Sequence, residues 1–245
     1  MKILINSEMR CGSRWLHYLL AELYSMGVSP EVDRGRLLSG EHRLRSFLDN
    51  NRIAKTHHAT TTEVFQYLKP LDYKVITVVR NPRDRIVSKA FHTKYHPRLK
   101  EEFKSDFEAV KNFVYSDYTK KANLRQFEQM SDGYSTRNHT KTNLPYIWTT
   151  YEWMLDNIVR EVAAIDKFLG ENTPLSRITT ACNAHSFKVR TGRKQGSEVR
   201  RDTWRRKGII GDWINWFTLK MFKDTECDQS LYWEKVIMNK GKDNG

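Results

Sequence analysis

Residues 1–23 read MKILINSEMRCGSRWLHYLLAEL, and this opening decides the fold. Met1 to Ile5 has the apolar run of a short buried strand, and Asn6 to Ser13 is polar and small. From Arg14 onward, Trp15, Leu16, Leu19, Leu20 and Leu23 recur at helical spacing. A strand, a tight loop and a helix in that order aim unpaired amide groups and the positive helix end at one point, which suits a phosphate or sulfate. Arg10 and Arg14 add two cations there, and Gly12 lets the backbone approach closely. The loop has the form of a phosphate loop without the Gly-Lys-Ser/Thr ending of an ATP-binding one. An ordinary strand-to-helix turn with solvated arginines is the alternative for this segment taken alone.

The clearest strand follows at Lys74–Val79, β-branched and apolar as a central parallel strand should be. It runs into the turn Arg80-Asn81-Pro82-Arg83-Asp84 and a helix starting near Asp84. Ile53 to His57 reads as a brief strand, and residues 147–151 as another strand end. Short helices are expected at Leu44–Leu48 and Thr62–Leu68. Residues 158–169 form an amphipathic helix with Ile158, Val162, Ile165, Phe168 and Leu169 on one face and Gly170 as its C-cap. Residues 26–52 read as loop and helix, 95–145 as helices and long loops, and the basic run 188–208 as a solvated loop. Strands alternating with helices predict an α/β three-layer sandwich with a mostly parallel sheet, as one domain over residues 1–245. In such sheets ligands bind beyond the strand carboxyl ends. The polar clusters after Ile5, Ala54 and Val79 all fall there.

The bulk numbers agree with a folded globular protein. The chain has 245 residues, 39% hydrophobic and 29% charged, with 42 Lys+Arg against 29 Asp+Glu. A net charge of +13 favours polyanionic partners such as nucleic acid, a membrane surface or a phosphorylated small molecule. Cys11, Cys182 and Cys227 are far apart, which argues for free thiols over a disulfide framework or a zinc site. No stretch nears the roughly 18 apolar residues of a membrane span. The chain opens on a strand with nothing like a cleavable signal, so a cytoplasmic protein is expected. His92 and His96 have i,i+4 spacing for a metal pair, with a surface helix as the plainer reading.

Beyond these patterns, six motifs in order resemble the cytosolic-type sulfotransferases, which use 3′-phosphoadenosine 5′-phosphosulfate (PAPS). Met9 to Leu16 aligns with that family's P-K-S-G-T-T-W-L loop, and Lys55-Thr56-His57 with its K-T-H. Arg80 and, eight residues on, Ser88 match its strand-end arginine and helix serine. Tyr151-Glu152-Trp153-Met154 and Ser186-Phe187-Lys188 are similar to further elements, and RKGxxGDWxNxFT is present from Arg206 to Thr218. The resemblance spans nearly the whole chain and implies a P-loop-NTPase-like fold.

The resemblance also implies roles. The phosphosulfate would sit on Arg10, Cys11, Gly12, Ser13 and Arg14. Arg80, Ser88, Arg206, Lys207 and the Gly208 backbone would hold the 3′-phosphate. Trp15 and Phe187 would sandwich the adenine, although core packing also explains both, and Tyr151 would contact the coenzyme. His57 would be the general base, Lys55 would stabilise the sulfonate and Arg10 the leaving phosphate. The implied co-substrate is PAPS and the product adenosine 3′,5′-bisphosphate (PAP), with no metal and a small-molecule acceptor. Loops 25–50, 90–150 and 188–204, with Phe91, Tyr95, Tyr146 and Trp148, would line the acceptor site.

The departures are Arg10 for lysine, Arg14 for threonine, His185 before Ser-Phe, Ile214 for lysine and Lys223 for glutamate. The last two fall where many animal members dimerise, so the oligomeric state stays open. The rivals are a P-loop kinase or other nucleotide-binding enzyme and a basic nucleic-acid-binding protein. The first lacks Gly-Lys-Ser/Thr and the second lacks any recognised module.

Overall fold

In β1 (Ile3–Ser7) all five residues are buried, and the strand sits at the centre of a parallel sheet. The computed structural model describes residues 1–31, 52–57, 73–97, 102–118, 146–199 and 205–225. Its sheet runs β2 (Gly27–Glu31), β3 (Arg52–Thr56), β1, β4 (Lys74–Val79), β5 (Tyr146–Thr150), and every pairing is parallel. Ile5 lies opposite Lys55 on one side and Ile76 on the other, so the carboxyl ends of three strands finish level. The expected strands at 1–5, 53–57, 74–79 and 147–151 are found within two residues of those bounds. The expected helices at Leu44–Leu48 and Thr62–Leu68, and most of 95–145, lie outside the described residues.

Contacts divide the chain into two units, Met1–Val79 with Asn138–Arg190, and Arg80–Arg137 with Thr191–Gly245. The first holds the sheet. Against it pack α1 (Ser13–Leu23), α4 (Tyr151–Leu169) and α5 (Leu175–Ala184). Leu16, Leu19, Leu20 and Leu23 of α1 join Ile3, Ile5, Ile53, Ile76 and Val78 of the sheet and Val162, Ile165 and Leu169 of α4 in one core. These are the helical-spacing residues picked out above, and their burial is what holds α1 on the sheet.

Four elements differ from the sequence reading. β2 (GVSPE) was expected as loop, but it is an edge strand, where Pro30 need not donate to a neighbour. Helix α4 starts at Tyr151, seven residues early, because Thr150 caps it by accepting the Trp153 amide at 2.9 Å. Asn157 then leaves the helical region (φ −151°, ψ 84°) and caps a second stretch by accepting the Arg160 amide at 3.0 Å. The amphipathic helix read at 158–169 is that second stretch, and it ends at Gly170 with φ +77° as expected. Finally, α5 and the short α6 (Phe187–Thr191) lacked a clear apolar stripe, since only Ile178, Ala181 and Cys182 of α5 are buried.

In the second unit, α2 (Pro82–Tyr95) begins at an Asn81 cap whose side chain accepts the Arg83 and Asp84 amides, with Pro82 in the first turn. It packs with α3 (Asp106–Phe113), the π-helical turn Val114–Tyr118 and α7 (Leu219–Asp224) through Ile86, Val87, Ala90, Phe91, Val110, Phe113 and Met221. Phe91, expected to face an acceptor, is instead buried in this core. His92 is also buried, and its ring meets that of His96 edge-on at 4.8 Å, so the plain surface-helix reading does not hold for it.

Candidate functional site

The site residues fall into one cluster in each unit. In the first, the loop leaving β1 turns through two left-handed residues, Arg10 (φ +74°) and Gly12 (φ +89°). Gly12 accepts the Trp15 and Leu16 amides at 2.9 and 3.2 Å, and no side chain caps α1. A side chain at Gly12 would also have no room, since a Cβ there falls 2.7 Å from the Tyr151 ring. Tyr151 meets Trp15 edge-on at 6.4 Å. The Trp15 indole nitrogen is buried without an acceptor among the described residues. Ser13 is buried in the first turn, Cys11 is buried in the core, and Arg14 is exposed with its guanidinium 5.7 Å from the Tyr18 ring. The structure thus brings Gly12, Trp15 and Tyr151 together, with Arg10 half-buried at the turn; Phe187 is half-buried where α6 begins.

Beside this loop in the strand order, β3 ends in Lys55 and Thr56, and His57 follows directly. His57 Nδ1 lies 3.0 Å from the Ser7 carbonyl oxygen and 3.4 Å from its hydroxyl. A carbonyl only accepts, so Nδ1 carries the proton and donates it, and the lone pair is left on Nε2. That Nε2 accepts from Lys55 Nζ at 2.9 Å. Residues two apart on a strand share a face, which is why Lys55 and His57 meet. The cluster therefore offers an oriented imidazole with its basic nitrogen beside a buried cation.

The second cluster gathers Arg80, α2 and the segment Arg205–Asn215. The Arg80 guanidinium donates to the Ile209 carbonyl at 3.3 Å. Asp84, missed as a site residue, accepts the Gly211 amide at 2.7 Å and the Trp213 amide at 3.0 Å, fixing that segment to the start of α2. Ser88 lies one turn further along α2 and is half-buried. Arg206 places its guanidinium carbon over the Phe91 ring, 4.0 Å from the centroid, donates to Glu198 at 2.5 Å and also donates to Asp212. Lys207 donates to Asp212 at 2.8 Å and lies 3.8 Å from Glu198. Burial pushes the Asp212 carboxyl up, but Lys207 and Arg206 outweigh it and hold the group below the usual carboxylate range.

The basic run was expected to be solvated, yet 193–199 forms an ordered turn bonded to 205–208. Its cations look dispersed on paper because their acceptors, backbone carbonyls for Arg193 and the Glu198 and Asp212 carboxylates for Arg206 and Lys207, are not revealed by composition. Asp212 was visible within RKGxxGDW; Glu198 and Arg193 carried no such signal.

Among the described residues no group of three or more His, Cys, Asp or Glu is placed to hold a metal. Cys11 and Cys182 are buried thiols outside any disulfide, and burial pushes the Cys182 thiol up to about 11. No helix among the described residues is long and apolar enough to cross a membrane.

Against known proteins, the family described as Sulfotransferase domain matches residues 1–228, covering parts of both units. Cytosolic sulfotransferase 1 of Danio rerio is 24% identical over 256 residues, covering 96% of this chain and 82% of the relative. Sulfotransferase 1A1 of Mus musculus is 26% identical, with 89% and 79% covered. In fold, the chain is similar to mouse sulfotransferase SULT7A1 complexed with PAP, with TM-score 0.69, 21% identity and 91% and 80% covered. It is also similar to retinol dehydratase in complex with retinol and PAP, with TM-score 0.61, 17% identity and 96% and 80% covered.

Proposed function

The chain belongs to the sulfotransferase family, and we propose from that premise that it transfers a sulfonate from PAPS to a hydroxyl or amine of a small acceptor in one in-line step. When bound, PAPS supplies an activated sulfonate on a phosphate leaving group. The residues present fit such a polyanion: Arg10, Arg80, Arg206 and Lys207 are cations, and the α1 N-terminus has no side-chain cap. Arg10 and the loop amides to Ser13 receive the phosphosulfate. Arg80, Ser88, Arg206, Lys207 and the Gly208 amide receive the 3′-phosphate. Trp15, Tyr151 and Phe187 offer flat aromatic surface to the adenine.

The observation that carries the reading is the run Ser7–His57–Lys55. His57, held through Nδ1 by the Ser7 carbonyl, takes the acceptor's proton at Nε2. Such help typically amounts to about 10²–10⁴-fold. Lys55 now occupies that lone pair, so it must turn away first, and the negative sulfonate oxygens are where its charge is then needed. Arg10 neutralises the departing phosphate oxygen, with a flat guanidinium where relatives of the motif carry a lysine.

The test is transfer of labelled sulfonate from PAPS across a panel of phenols, alcohols and amines, with His57→Ala alongside. Wild type should label at least one acceptor, and His57→Ala should lose turnover while binding PAP as before. Undiminished turnover in His57→Ala removes it as the base. Arg80→Ala should weaken PAP binding by about 2 kcal/mol in a part-buried site. An unchanged Kd would place the 3′-phosphate elsewhere.

A further inference from the structure

Four consecutive carbonyls, those of Arg205, Arg206, Lys207 and Gly208, are all taken by one short turn of this chain. Arg193 donates to the Arg205 carbonyl at 2.7 Å and to the Arg206 carbonyl at 3.1 Å. The Gly196 amide donates to Lys207 at 2.9 Å, and the Gln195 side chain to Gly208 at 2.6 Å. The Val199 amide adds a longer bond to Arg206 at 3.3 Å. Arg193 also holds the turn itself, through the Ser197 carbonyl at 3.2 Å.

A trans peptide is planar, so its C=O and the following N–H point in opposite directions. Drawing these carbonyls onto the turn therefore aims the amides of Arg206, Lys207, Gly208 and Ile209 away from it. None of those four amides has a hydrogen-bond partner among the described residues. Successive amides left open in this way make an anion-binding concavity. Gly208 sits within the run at φ +65°, a conformation that glycine adopts without strain.

We propose that Arg193 is the positioning residue that sets the direction of these amides, and so gives the protein its preference for a nucleotide bearing a 3′-phosphate. The inference rests on the reading of Arg80 and Arg206–Gly208 as the 3′-phosphate site. Arg193 itself touches no ligand; it acts through backbone it holds. A planar guanidinium reaches three carbonyls at once because its donors diverge in fixed directions, and an ammonium on a flexible stem does not reproduce that fork. The site is also crowded with like charges, Arg205, Arg206 and Lys207 in sequence. Asp212 and, on the turn itself, Glu198 engage the last two, so losing the turn would also take one carboxylate from Arg206 and Lys207.

The experiment compares Kd for PAP with Kd for adenosine 5′-monophosphate, which lacks only the 3′-phosphate, in wild type, Arg193→Ala, Arg193→Lys and Gln195→Ala. Arg193→Ala should raise the PAP Kd about tenfold, the scale of one lost hydrogen bond to a charged group, and leave the monophosphate Kd within about twofold. Arg193→Lys should recover little, and Gln195→Ala should shift the ratio in the same direction by less. A merely structural role would weaken both nucleotides together and leave the ratio unchanged, which overturns the proposal. If Arg193→Ala does not fold, an unchanged ratio in Gln195→Ala overturns it equally. A wild type that does not prefer PAP removes the 3′-phosphate reading, and this proposal with it. A wild type that prefers PAP beside variants of equal preference removes this proposal alone.

Discussion

Single residues in this chain carry chemistry in proportion to what fixes them. His57 is held at Nδ1 by the Ser7 carbonyl and is proposed to take a proton at Nε2, whereas His17 of α1 is structural. His17 is buried in α1 and its Nε2 donates to the Ile53 carbonyl at 2.7 Å. Burial lowers its pKa, with the Ile53 carbonyl pulling the other way and Lys55 and Arg14 adding to the lowering. The unfolded chain therefore binds a proton more readily than the folded one. The stability His17 contributes is complete above about pH 6.5 and is lost as pH falls toward its lower folded value. Denaturant midpoints measured from pH 7.5 down to 5 should fall in wild type and fall less in His17→Gln. Equal slopes would assign the acid sensitivity elsewhere. From sequence alone Lys55, His57, Arg80 and Arg206 could be singled out by motif, but His17 and Glu198 could not. Their significance lies in neighbours far off in the chain, Ile53 for one and Arg206 for the other.

At the scale of elements, the loop from β1 into α1 is the most constrained piece. Gly12 is confined twice, by φ +89° and by the Tyr151 ring 2.7 Å from where a Cβ would stand. Gly12→Ala should cost about 1–2 kcal/mol from the left-handed backbone alone, plus the displacement of Tyr151. Gly12→Ala with Tyr151→Ala should be less destabilised than the two single changes summed, by thermal or urea unfolding. Strict additivity would mean the ring yields freely. Strands β1 and β4 were legible because buried parallel strands are largely apolar, and β3 through Ile53 and Ala54 before a polar end. β2 was not, because an edge strand tolerates Pro30 and polar residues. The early start of α4 was hidden by Asn157, which breaks the helical period and re-caps it. The 193–199 turn was hidden for another reason: arginine bonded to carbonyls reads in composition like arginine in water.

For the molecule as a whole, a net charge of +13 guarantees some attraction to any polyanion, and only its salt dependence separates that from recognition. Binding to random-sequence DNA should fall steeply between 50 and 200 mM salt, by orders of magnitude for about six or more phosphate contacts. PAP binding should fall far less, because partly buried pairs are screened less than exposed ones. Parallel losses would favour the nucleic-acid reading. Order of synthesis is a separate matter. Each of the two units is assembled from two stretches of chain, and the polypeptide passes from one to the other three times, after Val79, Arg137 and Arg190. A ribosome thus delivers the central strand first and its last neighbour, β5, only after some seventy further residues beyond β4. Throughout that interval one flank of β4 has no native strand to pair with, and such edges are where nascent chains cross-associate. Neither unit can be cut out as a contiguous gene fragment, and the first is not whole until synthesis has reached Arg190.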